Sequence, residues 1–246
     1  MTGFQLNESV DLKAAAKTFA ERGIVQLDGI FATDSAADIQ RMLVQGMPWR
    51  LLMTDENNSP THLSQAEWKQ RSADERQRIY QGVLARARRN EGFFYLTYPM
   101  IEAYLNGWDT GHPIHQLTEL INSPAYLDIG RVITGLPGIT KADAHACQYG
   151  PGHFLTRHID HGPDKERRAA YVLGFTQGWQ PDWGGLLLFL KDNQDVDHGF
   201  LPRFNNLTIF DINYLHTVTQ VSTFAGAPRL TVTGWFRDDP AARPQQ

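Results

Sequence analysis

In the run Arg157-His158-Ile159-Asp160-His161-Gly162, an imidazole and a carboxylate stand two positions apart. In an extended strand residues i and i+2 project from one face, so His158 and Asp160 offer a nitrogen and an oxygen to one point in space. That is two-thirds of a facial metal-binding triad. The third member is proposed as His216, in the strand-like run Tyr214-Leu215-His216-Thr217-Val218. Two neutral nitrogens and one anionic oxygen leave adjacent positions open on an ion, a ligand set suited to non-haem iron that must hold a co-substrate and O₂ together. Taken singly, each histidine is well explained as an ordinary core or surface residue, and Asp160 as a turn residue ahead of Gly162-Pro163. Their joint, ordered placement argues for the metal.

Ligands presented in this way require strands. After Gly138 the chain becomes a series of short apolar runs separated by Gly, Pro, Asn and Asp, the texture of a sandwich or barrel. Strands are expected over 140–149, 154–159, 168–176, 185–190, 207–210, 214–221 and 229–237, a set that suits a double-stranded β-helix, or jelly roll. Ahead of it, apolar residues at helical spacing predict a helix over 8–22, ended by Gly23. A strand follows over 23–30, then a helix opened by Thr33-Asp34-Ser35, a strand over 49–53 and a polar loop over 55–63. A long charged helix over 65–89, an aromatic strand before Pro99, and helices over 113–121 and 124–134 complete this half. The fold class expected is mainly β with α extensions. One domain, 1–246, divides into a mostly helical support region (1–138) packed on one sheet, a jelly-roll catalytic core (139–237) and a polar tail (238–246).

At 246 residues and 41% hydrophobic content the chain can bury a large core. A net charge of −4 with 20% charged residues argues against nucleic acid as a main partner, and the cluster Arg86, Arg88 and Arg89 does not reverse that. Cys147 is the single cysteine, so an intrachain disulfide is impossible. The first residues carry no basic and apolar leader pattern, and no run has the length of a membrane span. A cytoplasmic protein without a membrane partner is the expectation. Nothing in the sequence speaks to oligomeric state.

The stretch from Tyr149 to Leu190, with His158-x-Asp160, Trp183-Gly184-Gly185 and Leu186, joined by His216-x-Val218 and by Arg229-x-Thr231 through Trp235, resembles a known family. It is similar to the Fe(II)- and 2-oxoglutarate-dependent oxygenases of the prolyl-hydroxylase type, and most to bacterial relatives of the EGL-9-like and ribosomal prolyl-hydroxylase group. The resemblance covers about residues 140–237.

It implies Fe(II) on His158, Asp160 and His216, with 2-oxoglutarate and O₂ as co-substrates and ascorbate as an accessory reductant. Arg229 lies at the offset from His216 where the family places a basic residue that clamps the far carboxylate of 2-oxoglutarate. A planar guanidinium does this through two parallel charge-assisted hydrogen bonds. Thr231 stands where the family has a hydroxyl, Tyr149 where relatives keep an active-site tyrosine, and Trp235 near the substrate mouth, which His161 is close enough to reach. Tyr149 is equally explained by packing, and Arg229 alone by a solvated strand end after Pro228. Where relatives often have a Leu-Tyr-Leu strand motif this chain has Leu173-Gly174-Phe175, so Gly174 is expected to enlarge the pocket, and Tyr171 is a poor replacement.

The implied reaction decarboxylates 2-oxoglutarate to succinate and hydroxylates an unactivated C–H bond, of a prolyl residue in a peptide or protein. A free amino acid or other small molecule is the alternative substrate. A non-enzymatic metal-binding sensing barrel, and a zinc hydrolase using an activated water, are readings of other classes. Substrate-facing loops are expected over 50–63 and 191–206. His145, His153 and His198 read as structural or solvent-exposed, Trp179, Trp183 and Phe189 as core and rim packing, and Gly184-Gly185 as a turn or a close backbone approach.

Overall fold

The computed structural model of the protein describes residues 3–160 and 166–240. Its helices are α1 (Leu12–Arg22), α2 (Thr33–Gln45), α3 (Gln65–Gln70), α4 (Ala73–Ala87), α5 (Met100–Leu105), α6 (Ile114–Ile121) and α7 (Pro124–Thr134). The strands of the first half are β1 (Ile24–Asp28), β2 (Arg50–Thr54), β3 (Pro60–Ser64) and β4 (Phe93–Pro99). Those of the second half are β5 (Lys141–Ala142), β6 (His145–Tyr149), β7 (Phe154–His158), β8 (Arg167–Phe175), β9 (Leu187–Leu190), β10 (Val196–Phe200), β11 (Phe204–Asp211), β12 (His216–Val218) and β13 (Arg229–Arg237).

Strands β6 to β13 pair antiparallel in the orders β6-β13-β8-β11 and β7-β12-β9-β10. Pairing that moves back and forth between two sheets in this way makes a double-stranded β-helix. The first half extends it. β1 pairs with the outer edge of β11, and β4 pairs with both β6 and β7, bridging the sheets. The β2–β3 hairpin adds beyond β4.

Period-two alternation in β13 sorts its residues between two environments. Leu230, Val232 and Phe236 are buried in a core shared with Ala15 of α1, Ile39 and Leu43 of α2, and Tyr126 and Leu127 of α7. Arg229, Thr231, Thr233 and Trp235 face the space between the sheets. Each large apolar side chain on the helix side contributes about 1.5–3 kcal/mol on burial, which fixes the helices on the outer face of this sheet. α1 begins where Asp11 Oδ1 accepts from the Lys13 and Ala14 amides at 3.1 and 3.0 Å. It ends at Gly23, whose φ of 64° is left-handed and whose added Cβ would meet the Tyr214 ring at 2.9 Å.

Three expectations are corrected. The charged helix over 65–89 is two helices, because Ser72 starts a second capping box with Glu75 and the chain is extended at Arg71. The loop over 55–63 includes most of β3, and the loop over 191–206 holds β10 and the start of β11. Both strands pair at an edge of the assembly with one neighbour only, where few apolar residues are needed, so their sequences lack the alternation that marks buried strands. No helix among the described residues is long and apolar enough to cross a membrane.

Candidate active site

His158 closes β7 and His216 opens β12, and the two are directly paired across the ladder. Asp160 follows β7, with its amide donating to the Ile212 carbonyl at 3.2 Å. The three side chains converge: one ligand atom from each lies within 4.8 Å of the others. Asp160 Oδ1 is 3.6 Å from His158 Nε2, and Asp160 Oδ2 is 3.6 Å from His216 Nε2. These separations exceed hydrogen bonds and leave room for an ion among the three.

The imidazoles are oriented from behind. His158 Nδ1 lies 3.0 Å from the Thr156 carbonyl, and His216 Nδ1 lies 2.9 Å from the Tyr214 carbonyl. A carbonyl accepts only, so each Nδ1 carries the proton and each Nε2 turns a lone pair to the centre, as metal-binding histidines require. Phe210 packs edge-on to the His216 ring at 4.8 Å. Burial, and next the neighbouring His158, push the His216 pKa down to about 4 against the pull of Asp160 and the Tyr214 carbonyl, which keeps the ring neutral and able to ligate. Asp160 and His216 are only 5% and 4% exposed.

The triad opens into a cavity of about 540 Å³ between the sheets. Arg229 lines it at 4% exposure, and its Nε and Nη1 are buried with no hydrogen-bond partner among the described residues. Burial pulls its pKa below the ordinary value, partly offset by Tyr149 and Cys147. A buried guanidinium without an acceptor is costly, and a carboxylate ligand removes that cost. Arg229 pairs across the sheet with Tyr149 and lies 5.2 Å from its ring centroid, while the other contact of that ring is a stack on Tyr95 at 4.6 Å. Thr231, paired with Cys147 and Gly174, is buried on the same wall. The donor set thus fits both an iron ion and a dicarboxylate beside it.

At the mouth, Arg167 lies 3.6 Å over the Trp235 ring, and its Nη1 donates to the Asp160 carbonyl at 3.3 Å. Arg167 Nε and Trp235 Nε1 are buried without partners among the described residues. His161, expected beside the substrate, lies outside the described residues.

Gly174 does not enlarge the pocket. A Cβ there would sit 2.4 Å from the Arg203 carbonyl oxygen, so main chain already fills the space. Tyr171 lies in the helix-side core with its hydroxyl donating to the Asp143 carbonyl, which agrees with the expectation that it is no substitute. Gly184 is a close approach, since a Cβ would meet the Gln220 carbonyl at 2.1 Å. His145, expected to be structural or exposed, lines the cavity.

Sequence reasoning missed Tyr95, Glu102 and Arg167 as cavity residues, whereas Leu52, Pro60 and His62 come from the segment 50–63 expected to face the substrate. Alternation along β8 assigns Arg168 rather than Arg167 to the inner face. The ladder skips Arg168 between the Phe236 and Arg237 pairs, and this irregularity turns Arg167 inward while Arg168 meets Asp238 outside. Tyr95 was legible only as one of several aromatics in β4, because the pairing of β4 with β6 is a tertiary fact.

Residues 144–237 match the profile of the 2OG-Fe(II) oxygenase superfamily. This segment is similar to a 2OG-Fe(II) oxygenase domain. The chain is 32% identical over 107 residues to prolyl 3-hydroxylase sudestada1 of Drosophila melanogaster, a match covering 39% of this chain and 20% of that protein. The chain therefore spans about a fifth of the length of this curated relative. A Pseudomonas putida prolyl-4-hydroxylase shares its fold with a TM-score of 0.54 and 22% identity, covering 96% of this chain and 98% of the other. A Trichoplax adhaerens prolyl hydroxylase, in complex with a hypoxia inducible factor peptide fragment, does so with a TM-score of 0.60 and 15% identity over 92% and 89% of the two chains. The chain thus shares its fold with prolyl hydroxylases.

Proposed function

We propose that the protein is an Fe(II)- and 2-oxoglutarate-dependent dioxygenase that hydroxylates a prolyl residue in a peptide or protein. The observation that carries this reading is one cavity holding both the His158–Asp160–His216 set and the unpaired guanidinium of Arg229. Iron bound to the triad supplies O₂ activation coupled to oxidative decarboxylation of the 2-oxo acid. Arg229 holds the far carboxylate of 2-oxoglutarate through Nε and Nη1, and Thr231 supplies a hydroxyl on the same wall. Tyr149 stacks beneath the guanidinium and fixes where it points. Leu155, Val172, Leu187, Phe210 and Val218 give the cavity an apolar lining that keeps bulk water from the reacting bond. Arg167 and Trp235 offer donors at the mouth, suited to the carbonyl groups of a peptide. The relative named as a prolyl 3-hydroxylase supports the prolyl assignment.

A structural or sensing metal barrel has no use for a buried cation without a partner, so Arg229 favours the enzyme over that alternative. The test is succinate formation from 2-oxoglutarate with Fe(II), ascorbate and air, with proline-containing peptides added and an Asp160→Ala control. Succinate that rises with a peptide and vanishes in the control is the expected result. Anaerobic addition of 2-oxoglutarate to the Fe(II) protein is expected to produce a metal-to-ligand charge-transfer band; without that band the oxygenase reading falls.

A further inference from the structure

The end of the cavity away from Arg229 is walled by residues outside the matched segment, His62 from β3 and Glu102 from α5, together with His145 of β6 and the Arg167–Trp235 pair. Among the described residues, Glu102 is the one carboxylate lining the cavity besides Asp160. Its side chain makes no hydrogen bond or ion pair among the described residues.

The neighbours that could neutralise it do not. His145 has its pKa lowered, first by burial and then by Arg167 and His62, against the opposing pull of Asp143 and Glu102. His62 is lowered by burial and by Arg50, with Glu102 opposing. Both rings are thus held in the uncharged form. The fixed cations of this region are engaged elsewhere, Arg167 with the face of Trp235 and the Asp160 carbonyl, and Arg50 over the Trp108 ring at 5.9 Å. Glu102 is solvent-exposed at the rim of the cavity, so a substrate that covers it strips water from the carboxylate and must replace that water with a partner of its own.

Resting on the reading of this cavity as the substrate pocket of an oxygenase, we propose that Glu102 is a specificity-determining residue that takes a cationic nitrogen of the substrate, an ammonium or guanidinium, while the target carbon faces the metal site. Two sources share that chemistry: a lysine or arginine side chain flanking the target residue in a peptide, and the free amino group of an amino acid. A carboxylate-to-cation hydrogen bond covered by the bound substrate selects for the charge by about tenfold.

The experiment measures ligand retention on the full chain loaded with Mn(II) and 2-oxoglutarate without O₂. The probes are acetylated, amidated pentapeptides centred on proline, with lysine, norleucine or glutamate placed in turn at each flanking position. A second arm compares L-proline with N-acetyl-L-proline by calorimetry. The wild type is expected to retain lysine over norleucine at one flanking position, or the free amine over its acetylated form, by about tenfold. Glu102→Gln is expected to lose that preference, and Glu102→Lys to reverse it in favour of glutamate or of the acetylated acid. The first arm succeeding assigns a peptide, the second a free amino acid. A wild type with no cation preference in either arm, whether or not uncharged probes bind, overturns the proposal, as does a preference that survives in Glu102→Gln. The charge-transfer titration reads the oxygenase assignment separately, so the failure of one is distinguishable from the failure of the other.

Discussion

On the proposed reading, the residue that distinguishes an oxygenase from a bare metal site is Arg229. Its two unpaired nitrogens are buried beside the triad, and nothing among the described residues satisfies them. Removing one partner of an enclosed, hydrogen-bonded charge pair costs about 2–5 kcal/mol. Arg229→Ala is therefore expected to weaken 2-oxoglutarate binding by roughly a hundredfold, read as the midpoint of the anaerobic charge-transfer titration, while bound iron measured by metal analysis stays at one equivalent per chain. Loss of iron together with the co-substrate would show that Arg229 supports the triad rather than the ligand. His153 illustrates the other kind of buried titratable residue. Its Nδ1 accepts from the Gly150 amide at 3.1 Å and its ring packs edge-on to Phe94, and burial lowers its pKa. Because the folded pKa lies below the unfolded one, the unfolded chain binds the proton more readily. The stability His153 contributes is complete above about pH 6.5 and is lost as pH falls below it. Thermal denaturation is expected at a lower temperature near pH 5.5 than near pH 7.5, with a smaller difference in His153→Gln; an unchanged difference would assign the effect to other groups.

At the scale of elements, a ligand set is only as good as the strands that carry it. The His216–His158 pair places one ligand at the end of β7 directly across from another at the start of β12, so a slip of one residue in either strand would turn that strand's imidazole away from its partner. Outside the jelly roll, α4 packs Val83 against Leu51, Met53 and Phe94, supporting the sheet extension that bears Tyr95. Its start depends on the capping box, in which the Ser72 hydroxyl accepts from the Glu75 amide at 3.2 Å and Glu75 Oε2 accepts from the Ser72 amide at 2.8 Å. Ser72→Ala is expected to cost about 1 kcal/mol and to lower the melting temperature by about 2–4 °C. A scanning calorimetry trace identical to wild type would mean that α4 frays independently of the fold. The pattern Ser-x-x-Glu occurs twice in succession, at Ser64 and at Ser72, so the division of this region into two helices was present in the sequence. Charge and length masked it.

At the scale of the whole molecule, the cavity is a joint product of both halves of the chain: the jelly roll gives the triad and Arg229, while β3, β4 and α5 give His62, Tyr95 and Glu102. A metal that binds only the folded chain raises stability by mass action. At a hundredfold excess over its dissociation constant the gain is about 2.7 kcal/mol, or roughly 5–10 °C in melting temperature for a chain of this size. Mn(II) is expected to produce that shift in the wild type and none in Asp160→Ala; equal shifts would place the ion elsewhere. The sequence by itself determined what depends on local spacing: the His-x-Asp pair, the inward alternation of Arg229, Thr231 and Trp235, most core strands, and the glycine that ends α1. It could not determine what depends on which strands become neighbours. The pairing of β4 with β6 and β7 brought Tyr95 to Tyr149, the irregularity in the β8–β13 ladder turned Arg167 rather than Arg168 inward, and the backbone at Arg203 closed the space at Gly174. Only the tertiary structure decided these, because each is a contact between segments distant in the chain, and local propensity carries no information about the partner.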